Sequence, residues 1–201
     1  PHHFQQIEMH GHESLTVSEF WTTPNHYGVH RMLVEQEALS NWRVSLSFCH
    51  LRLPDGTQIR FPEDSHISAV NIPRTAFRNS DTRVRVYLGV SELRRGSDNT
   101  GAMNSGAATR YVMHDEEVED ENRAGNPQLL QFRKLNPQIL VGEDSVRGFD
   151  AVPIFQLRLG SSAEAPPQLD PDYIPPLLAQ EGWPPLASFV RSIVDRLGAT
   201  S

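Results

Sequence analysis

The stretch D-T-R-V-R-V-Y-L-G-V, residues 81–90, alternates apolar and polar side chains with a period of two. Successive side chains of a β-strand point to opposite faces, so this alternation predicts a strand with one face in a core. The apolar face comprises Val84, Val86, Leu88 and Val90, and the other carries Arg83, Arg85 and Tyr87.

A second apolar alternation, V-S-L-S-F-C-H-L-R-L at residues 44–53, changes parity between Phe48 and Cys49. Such a change within one strand is typical of a β-bulge. The following Pro54-Asp55-Gly56 supplies the fixed φ, the side-chain acceptor and the positive-φ residue of a tight turn. Residues 44–61 therefore predict a hairpin, with Cys49 as a buried structural thiol.

Further strands are predicted on both sides of a polar, glycine-rich segment at 96–109. That segment predicts a long hairpin tip between strands 83–93 and 109–119. Three later strands are L-L-Q-F-R-K-L, I-L-V-G and F-D-A-V-P-I-F-Q-L-R-L. In the last, one face is expected to hold Phe149, Ala151, Pro153, Phe155, Leu157 and Leu159, with Val152 and Ile154 on the other. Many short strands separated by turns are typical of an antiparallel β-sandwich or barrel.

The pattern changes after residue 160. The proline-rich strap A-E-A-P-P-Q-L-D-P-D-Y-I-P-P, residues 163–176, predicts an extended segment lying over the surface. Residues 183–197 then predict an amphipathic helix, because apolar side chains recur at helical spacing. This stripe contains Leu186, Phe189, Val190, Ile193, Val194 and Leu197. The fold predicted is mainly β: an antiparallel β-sandwich with a proline-rich strap and a C-terminal amphipathic helix.

Composition excludes several classes of function. The 201 residues carry a formal net charge of −7 with Lys and Arg spread thinly, which argues against binding nucleic acid or an anionic membrane. No apolar run approaches the roughly 20 residues that span a bilayer, so no direct membrane insertion is expected. A single cysteine and no signal-peptide pattern indicate a cytoplasmic domain.

The sequence contains no motif that would assign catalytic chemistry. His12-Glu13 resembles the start of H-E-x-x-H, but Thr16 occupies the second ligand position. His10 and His12 could both reach a metal from a strand, but no Asp or Cys at ligand spacing completes a set, so no metal site is predicted. The sequence leaves open whether His2, His3, His10 and His12 converge in space. The carboxylates of residues 114–121 predict a solvated acidic strand edge rather than an acid–base pair. No cofactor and no enzymatic activity are expected.

Five stretches, in order, resemble the amino-terminal region of the TssK (ImpJ/VasE) family of type VI secretion baseplate proteins. The sharpest are P-H-H-F-Q at residues 1–5 and D-P-D-Y-I-P-P at 170–176. Those at 25–39, 53–64 and 109–122 complete the series, which covers nearly the whole chain. Tyr27-Gly28 departs from the family's usual Trp-Gly.

The resemblance implies a shoulder domain, a β-sandwich without catalytic activity. It also implies a homotrimer that contacts the wedge subunits TssF and TssG and reaches the membrane complex through a C-terminal head. By position, the docking residues would be His3, Phe4, Gln5 and Gln6. Because Pro1 comes first and Ser201 lies where the helical neck would start, the chain is expected to be a fragment.

The resulting division of the chain is a docking arm at 1–16, a sandwich at 17–178 and the start of a neck at 179–201. The alternative is a stand-alone carbohydrate- or ligand-binding β-sandwich. In that case Trp21, Tyr27 and Trp42 would stack on sugar faces, although packing in the core or beneath loops is favoured for these rings.

Overall fold

A computed structural model describes residues 2–23, 25–78, 82–94, 96–102, 108–119, 125, 127–160 and 165–198. Side chains of residues 2, 4, 5, 8 and 12 are outside this description. Its α-helices are α1 (His2–Thr22), α2 (Gln36–Ser40) and α3 (Pro184–Gly198). The strands are β1 (Gly28–Val34), β2 (Arg43–Val44), β3 (Leu46–Arg52), β4 (Gln58–Phe61), β5 (Val70–Asn71), β6 (Val84–Ser91), β7 (Thr100–Ala102), β8 (Tyr111–Val118), β9 (Gln128–Leu135), β10 (Gln138–Val141), β11 (Phe149–Leu159) and β12 (Pro167–Leu169).

The first sheet has the order β1-β3-β4 and is antiparallel throughout. It confirms the predicted hairpin, because β3 and β4 pair across the Pro54-Asp55-Gly56 turn. Gly56 has φ +86° and donates its N–H to the Leu53 carbonyl at 2.9 Å. The predicted bulge is also present: the register with β1 shifts across Ser47, where the buried set changes parity.

The second sheet has the order β10-β6-β11-β12. The predicted apolar face of β6 is confirmed, since its four members are all buried. For β11, the prediction of one continuous apolar face was wrong. The register shifts between Pro153 and Phe155, so the buried face passes from Val152 and Ile154 to Phe155 and then Leu157. The extra residue of this bulge reverses the parity that alternation alone would give.

The third sheet corrects the prediction for residues 83–119. Strand β6 pairs with β10 and β11, whereas β8 pairs with β9 and, in parallel, with the short β7. Strands 83–93 and 109–119 are therefore not a hairpin. The four apolar side chains of β6 are buried in the core, whereas the outer half of β8 is acidic and exposed. The two strands therefore pair with different neighbouring strands. Residues 103–107 of the predicted tip lie outside the described residues.

The first two sheets contribute to one hydrophobic core, which is compatible with the predicted sandwich. Met32, Cys49 and Ile59 from the first sheet are buried in the same cluster as Leu88 and Phe155 from the second. Strands β2 and β5 form a separate two-stranded pair, with Val44 buried in the same core and Val70 packed against it.

The strap is more closely integrated than a surface segment. Its β12 part pairs with β11, and the Pro176 carbonyl accepts the Val29 N–H at 2.8 Å. Gly28 has φ +137°, and an added Cβ would lie 2.6 Å from that Pro176 carbonyl oxygen. The close approach of strap and β1 therefore requires glycine here.

The helix predicted at 183–197 is confirmed as α3, and Trp183 just before it is buried in the core. Helix α1 was not predicted. It includes residues 17–22, which the sequence had placed in the sandwich, and the preceding segment that had been expected to be a flexible arm. Among the described residues, no helix combines the length and apolar character needed to cross a membrane.

Candidate interaction surfaces

The C-terminal half of α1 is attached to the turn between β3 and β4. Thr16 Oγ1 donates a hydrogen bond to the Asp55 carbonyl at 3.2 Å, and Glu19 forms an ion pair with Arg52. Arg52 is the last residue of β3, so both contacts hold the helix against the same turn.

His26, just after the helix, strengthens this attachment. Its Nε2 lies 3.0 Å from the Pro54 carbonyl oxygen, and its ring meets Phe20 of α1 edge to face at 5.7 Å between centroids. His26 is buried, and its Nδ1 has no hydrogen-bond partner. The hairpin turn thus fixes where α1 leaves the β-domain.

Much of the rest of α1 is accessible. Ile7, Leu15 and Trp21 are 68 %, 66 % and 81 % exposed, an unusual state for large apolar side chains. Gln6 and Met9 line a cleft of about 570 Å³ with Tyr111 and Arg133 of the third sheet. The exposed apolar residues mark α1 as a candidate contact surface.

The predicted docking residues all fall in the first two turns of α1. His3 and Gln6 are exposed and, being three apart, lie on the same side of the helix. The backbone positions of Phe4 and Gln5 are helical, but their side chains are outside the described residues. The structure places these docking-arm residues in a helix, and their docking role stays a prediction.

Arg110, which sequence reasoning missed, connects the three sheets. It donates to Asp150 Oδ2 at 2.7 Å and to Thr57 Oγ1 at 2.8 Å, and forms an ion pair with Asp55. It is 5 % exposed and also donates to the Ser91 carbonyl at 3.0 Å. Burial alone would lower the pKa of Arg110, but the aspartates outweigh it and the pKa is raised. No local sequence signal marks this arginine, because its partners are distant in sequence.

Asp170, the first residue of D-P-D-Y-I-P-P, holds the strap in place. Its carboxylate accepts hydrogen bonds from Arg83 Nε at 3.1 Å, Gln156 Nε2 at 3.0 Å and the Asp172 N–H at 3.3 Å. Burial would raise the pKa of Asp170, but these hydrogen bonds and the charge of Arg83 lower it overall. The D-P-D-Y-I-P-P motif, one of the two that carry the family resemblance most specifically, therefore has a structural role.

The stripe of α3 is largely uncovered. Phe189, Val194 and Leu197 are 61 %, 60 % and 67 % exposed, whereas Leu186 packs partly against the core. An apolar groove of about 390 Å³ lies at the base of the helix, between Met32, Leu33 and Trp183. Together, stripe and groove form a second candidate contact surface.

The histidines and the cysteine considered in the sequence carry no evident chemistry in the described part of the structure. Within the described part of the chain, no three His, Cys, Asp or Glu residues come close enough to hold a metal ion. His3 and His10 are exposed on α1. Cys49 is buried as predicted, and burial raises the pKa of its thiol to about 12, so it is protonated at neutral pH.

The rings proposed for sugar stacking are in different environments. Trp42 meets Phe77 edge to face at 6.0 Å, and the guanidinium of Arg74 lies 4.7 Å from its centroid. Tyr27 packs against the core, while Trp21 is exposed on α1. The favoured packing of Trp42 and Tyr27 is observed, so the carbohydrate alternative gains no support from them.

The structure thus defines a mainly antiparallel β-domain, with most of its large exposed apolar side chains on the helices and the third sheet. The sequence profile of a bacterial type VI secretion family that includes EvfL, ImpJ and VasE matches residues 3–201. The chain belongs to this family, whose role is that of a structural baseplate component rather than an enzyme.

Known proteins agree with this assignment. Type VI secretion system baseplate component TssK1 of Pseudomonas aeruginosa is 28 % identical over 206 residues, covering 98 % of this chain and 44 % of the relative. A cryo-electron microscopy structure of a TssK-TssF-TssG baseplate subcomplex matches with a TM-score of 0.83 at 18 % identity, covering 99 % of this chain and 65 % of that one. A crystal structure of TssK matches with a TM-score of 0.81 at 23 % identity, covering 96 % of this chain and 43 % of that one. The two structures show a shared fold, and the chain spans less than half of the curated relative.

Proposed function

We propose that this chain is the part of a baseplate component that docks onto a TssF–TssG wedge through α1. The observation that carries the proposal is the exposure of large apolar side chains along a helix that the hairpin turn holds firmly at one end. A related structure is described as a TssK-TssF-TssG subcomplex, which supports the choice of partners.

In this proposal His3, Phe4, Gln5 and Gln6 make the wedge contact. Gln side chains carry both donors and an acceptor, so they can pair with backbone groups of a partner. An aromatic residue such as Phe4 can bury the large area that is typical of interface hot spots. The helix would present these groups over about two turns, which favours a compact contact patch.

Capture by purified TssF–TssG tests the docking role. We expect the intact chain to be retained and the quadruple variant His3→Ala, Phe4→Ala, Gln5→Ala and Gln6→Ala to be lost, by at least tenfold. The matched control is Glu37→Ala with Asp144→Ala, which removes exposed side chains outside α1. Equal capture of all three proteins would contradict the proposal.

We further propose that the α3 stripe is a contact between copies in a homotrimer. Each fully buried large apolar side chain contributes roughly 1.5–3 kcal/mol, so three or four per copy can support association. In the whole protein, a region beyond this chain would then reach the membrane complex, with the baseplate on the cytoplasmic side of the inner membrane.

For these 201 residues alone we expect weak trimerisation, because only one helix per copy would be buried. Sedimentation equilibrium should show mostly monomer at micromolar concentration, and Phe189→Ser with Val194→Ser should abolish the remaining association. A tight trimer that survives these substitutions would mean that the β-domain, not α3, holds the copies together.

A further inference from the structure

The outer part of the third sheet forms a ribbon, defined here as residues 114–119 of β8 and its flank together with 127–133 of β9. Its side chains from Asp115 to Glu119 and from Pro127 to Arg133 are all exposed. The strands are nevertheless fully paired with each other, from Tyr111 opposite Leu135 to Val118 opposite Gln128. The ribbon is therefore an ordered ladder whose two faces are open to solvent.

One face of the ribbon holds three exposed apolar side chains beside the polar His114, Glu116 and Gln128, and the other face holds exposed Leu129. Opposed residues of an antiparallel pair lie on the same face, and Phe132 is opposite His114, Leu130 opposite Glu116 and Gln128 opposite Val118. Phe132, Leu130 and Val118 thus share this face, with 41 %, 42 % and 37 % of each side chain exposed. Side chains of this size cluster on an exposed surface mainly at contact sites.

Among the described residues, the outer edge of β9 has no strand partner. β9 lies at the edge of its sheet and pairs only with β8 among the described strands. Natural edge strands are usually blocked by lysine, proline or a bulge. Pro127 precedes β9 and Arg133 and Lys134 lie towards its other end, but the five residues Gln128–Phe132 between them contain no charge, no proline and no register shift. An edge with these properties can accept an additional strand.

The charge of the ribbon favours one kind of added strand. Residues 114–119 and 127–133 carry four carboxylates and one arginine, Arg133, whose guanidinium lies over the ring of Tyr111. A strand added to β9 would lie two strand spacings, about 10 Å, from the carboxylates of β8, which is within reach of a long basic side chain. A second copy of this chain would bring four more carboxylates, so an acidic partner is disfavoured.

We propose that the free edge of β9 binds an extended segment of a partner protein that alternates apolar and basic side chains. The main chain of the segment would pair with Gln128–Phe132, and its apolar side chains would cover Leu130 and Phe132. Its lysine or arginine side chains would lie on the opposite face, towards Asp115 and Glu117. The pairing residues Gln128–Phe132 do not line the cleft that Arg133 shares with Gln6 and Met9 of α1, so this proposal does not rest on the docking role of α1.

The test is an NMR titration of the whole chain with two synthetic peptides, acetyl-KVKVKVK-amide and acetyl-EVEVEVE-amide. We expect the lysine peptide to shift amide signals of residues 114–119 and 127–135, and its affinity to fall at least threefold between 0.05 and 0.5 M salt. No ribbon shifts up to 1 mM lysine peptide, or equal binding of the glutamate peptide, would overturn the proposal.

Two variants separate apolar pairing from simple charge attraction. Leu130→Ser with Phe132→Ser should weaken binding at least tenfold, while Phe189→Ser with Val194→Ser, which removes two more exposed apolar side chains on α3, should leave it within twofold. Because both ribbon side chains are exposed, the signals of buried Val86 and Leu88 should not change. Unaltered affinity of the ribbon variant would overturn the proposal.

The carboxylates are tested separately by Asp115→Asn with Glu117→Gln, for which we expect at least threefold weaker binding. The control is Glu37→Gln with Asp144→Asn, which removes the same charge from exposed positions elsewhere. Sedimentation of the chain alone completes the test. If it self-associates and Leu130→Ser with Phe132→Ser abolishes this, the edge is occupied by a second copy and the proposal is wrong.

Discussion

Asp170 shows how one side chain can hold separate pieces of this fold together. Its carboxylate is 4 % exposed and joins the strap to β11 through Gln156 and to the start of β6 through Arg83. Buried charges are tolerated only when they are paired and hydrogen-bonded, and Asp170 meets both conditions. The strap therefore depends on the ionised form of this one residue.

Asp170→Asn should lower the free energy of unfolding by about 1–3 kcal/mol at neutral pH, the usual loss for hydrogen bonds to a charged group. Because the folded-state pKa of Asp170 is lowered, its stabilisation is full above about pH 4, near the unfolded pKa, and is lost as pH falls through the folded pKa. Urea unfolding of both proteins from pH 7 to pH 2 should show the difference shrinking at the acid end. A difference that stays constant over this range would contradict the assigned role.

Gly28→Ala should also destabilise the protein. The φ of +137° is unfavourable for alanine, and its Cβ would lie 2.6 Å from the Pro176 carbonyl oxygen. We expect a loss of roughly 1–3 kcal/mol in thermal or urea unfolding. Gly96→Ala is a suitable control, because that glycine also has positive φ but nothing within 4 Å of the added Cβ. Equal effects would show that the strap contact contributes nothing.

At the scale of elements, the sequence predicted strands well and their partners less well. Alternation located β3, β4, β6 and β9–β11, because period two reflects burial of one face. The helical spacing of apolar residues located α3 in the same way. Which strands pair depends on burial against residues that are distant in sequence, and no local pattern contains that information. The hairpin predicted over residues 83–119 was wrong because it was inferred only from the two strands being neighbours along the chain.

Helix α1 was missed for a different reason. Its apolar residues do not recur at helical spacing, because it contacts the β-domain through a few residues such as Thr16 and Glu19 rather than through one apolar stripe. Gly11 lowers helix propensity further. The candidate docking positions were found from family resemblance, while Arg110 and the edge of β9 became visible only in three dimensions.

The connection between the sheets can be tested at Arg110. Arg110→Met should reduce stability by about 3 kcal/mol, since it leaves Asp55 and Asp150 without their buried cation. The double variant with Asp55→Asn should recover part of this loss, because one unpaired carboxylate is removed. Additive losses in urea unfolding would show that the two residues do not interact.

On the scale of the whole molecule, the β-domain positions three separate surfaces. Helix α1 is held by the hairpin turn, α3 follows buried Trp183, and the ribbon extends the sheet that Arg110 connects to the core. Each of these surfaces exposes large apolar side chains to solvent. This arrangement agrees with membership of a structural baseplate family.

The central claim is that α1 is the surface that meets the wedge. Hydrogen–deuterium exchange of the chain, alone and with purified TssF–TssG, tests it most directly. We expect exchange to slow in residues 2–15 by at least fivefold on binding, while amides of β6 stay unchanged. Slowing confined to α3 or to residues 127–133, with α1 unaffected, would contradict the claim and assign the wedge contact to another surface.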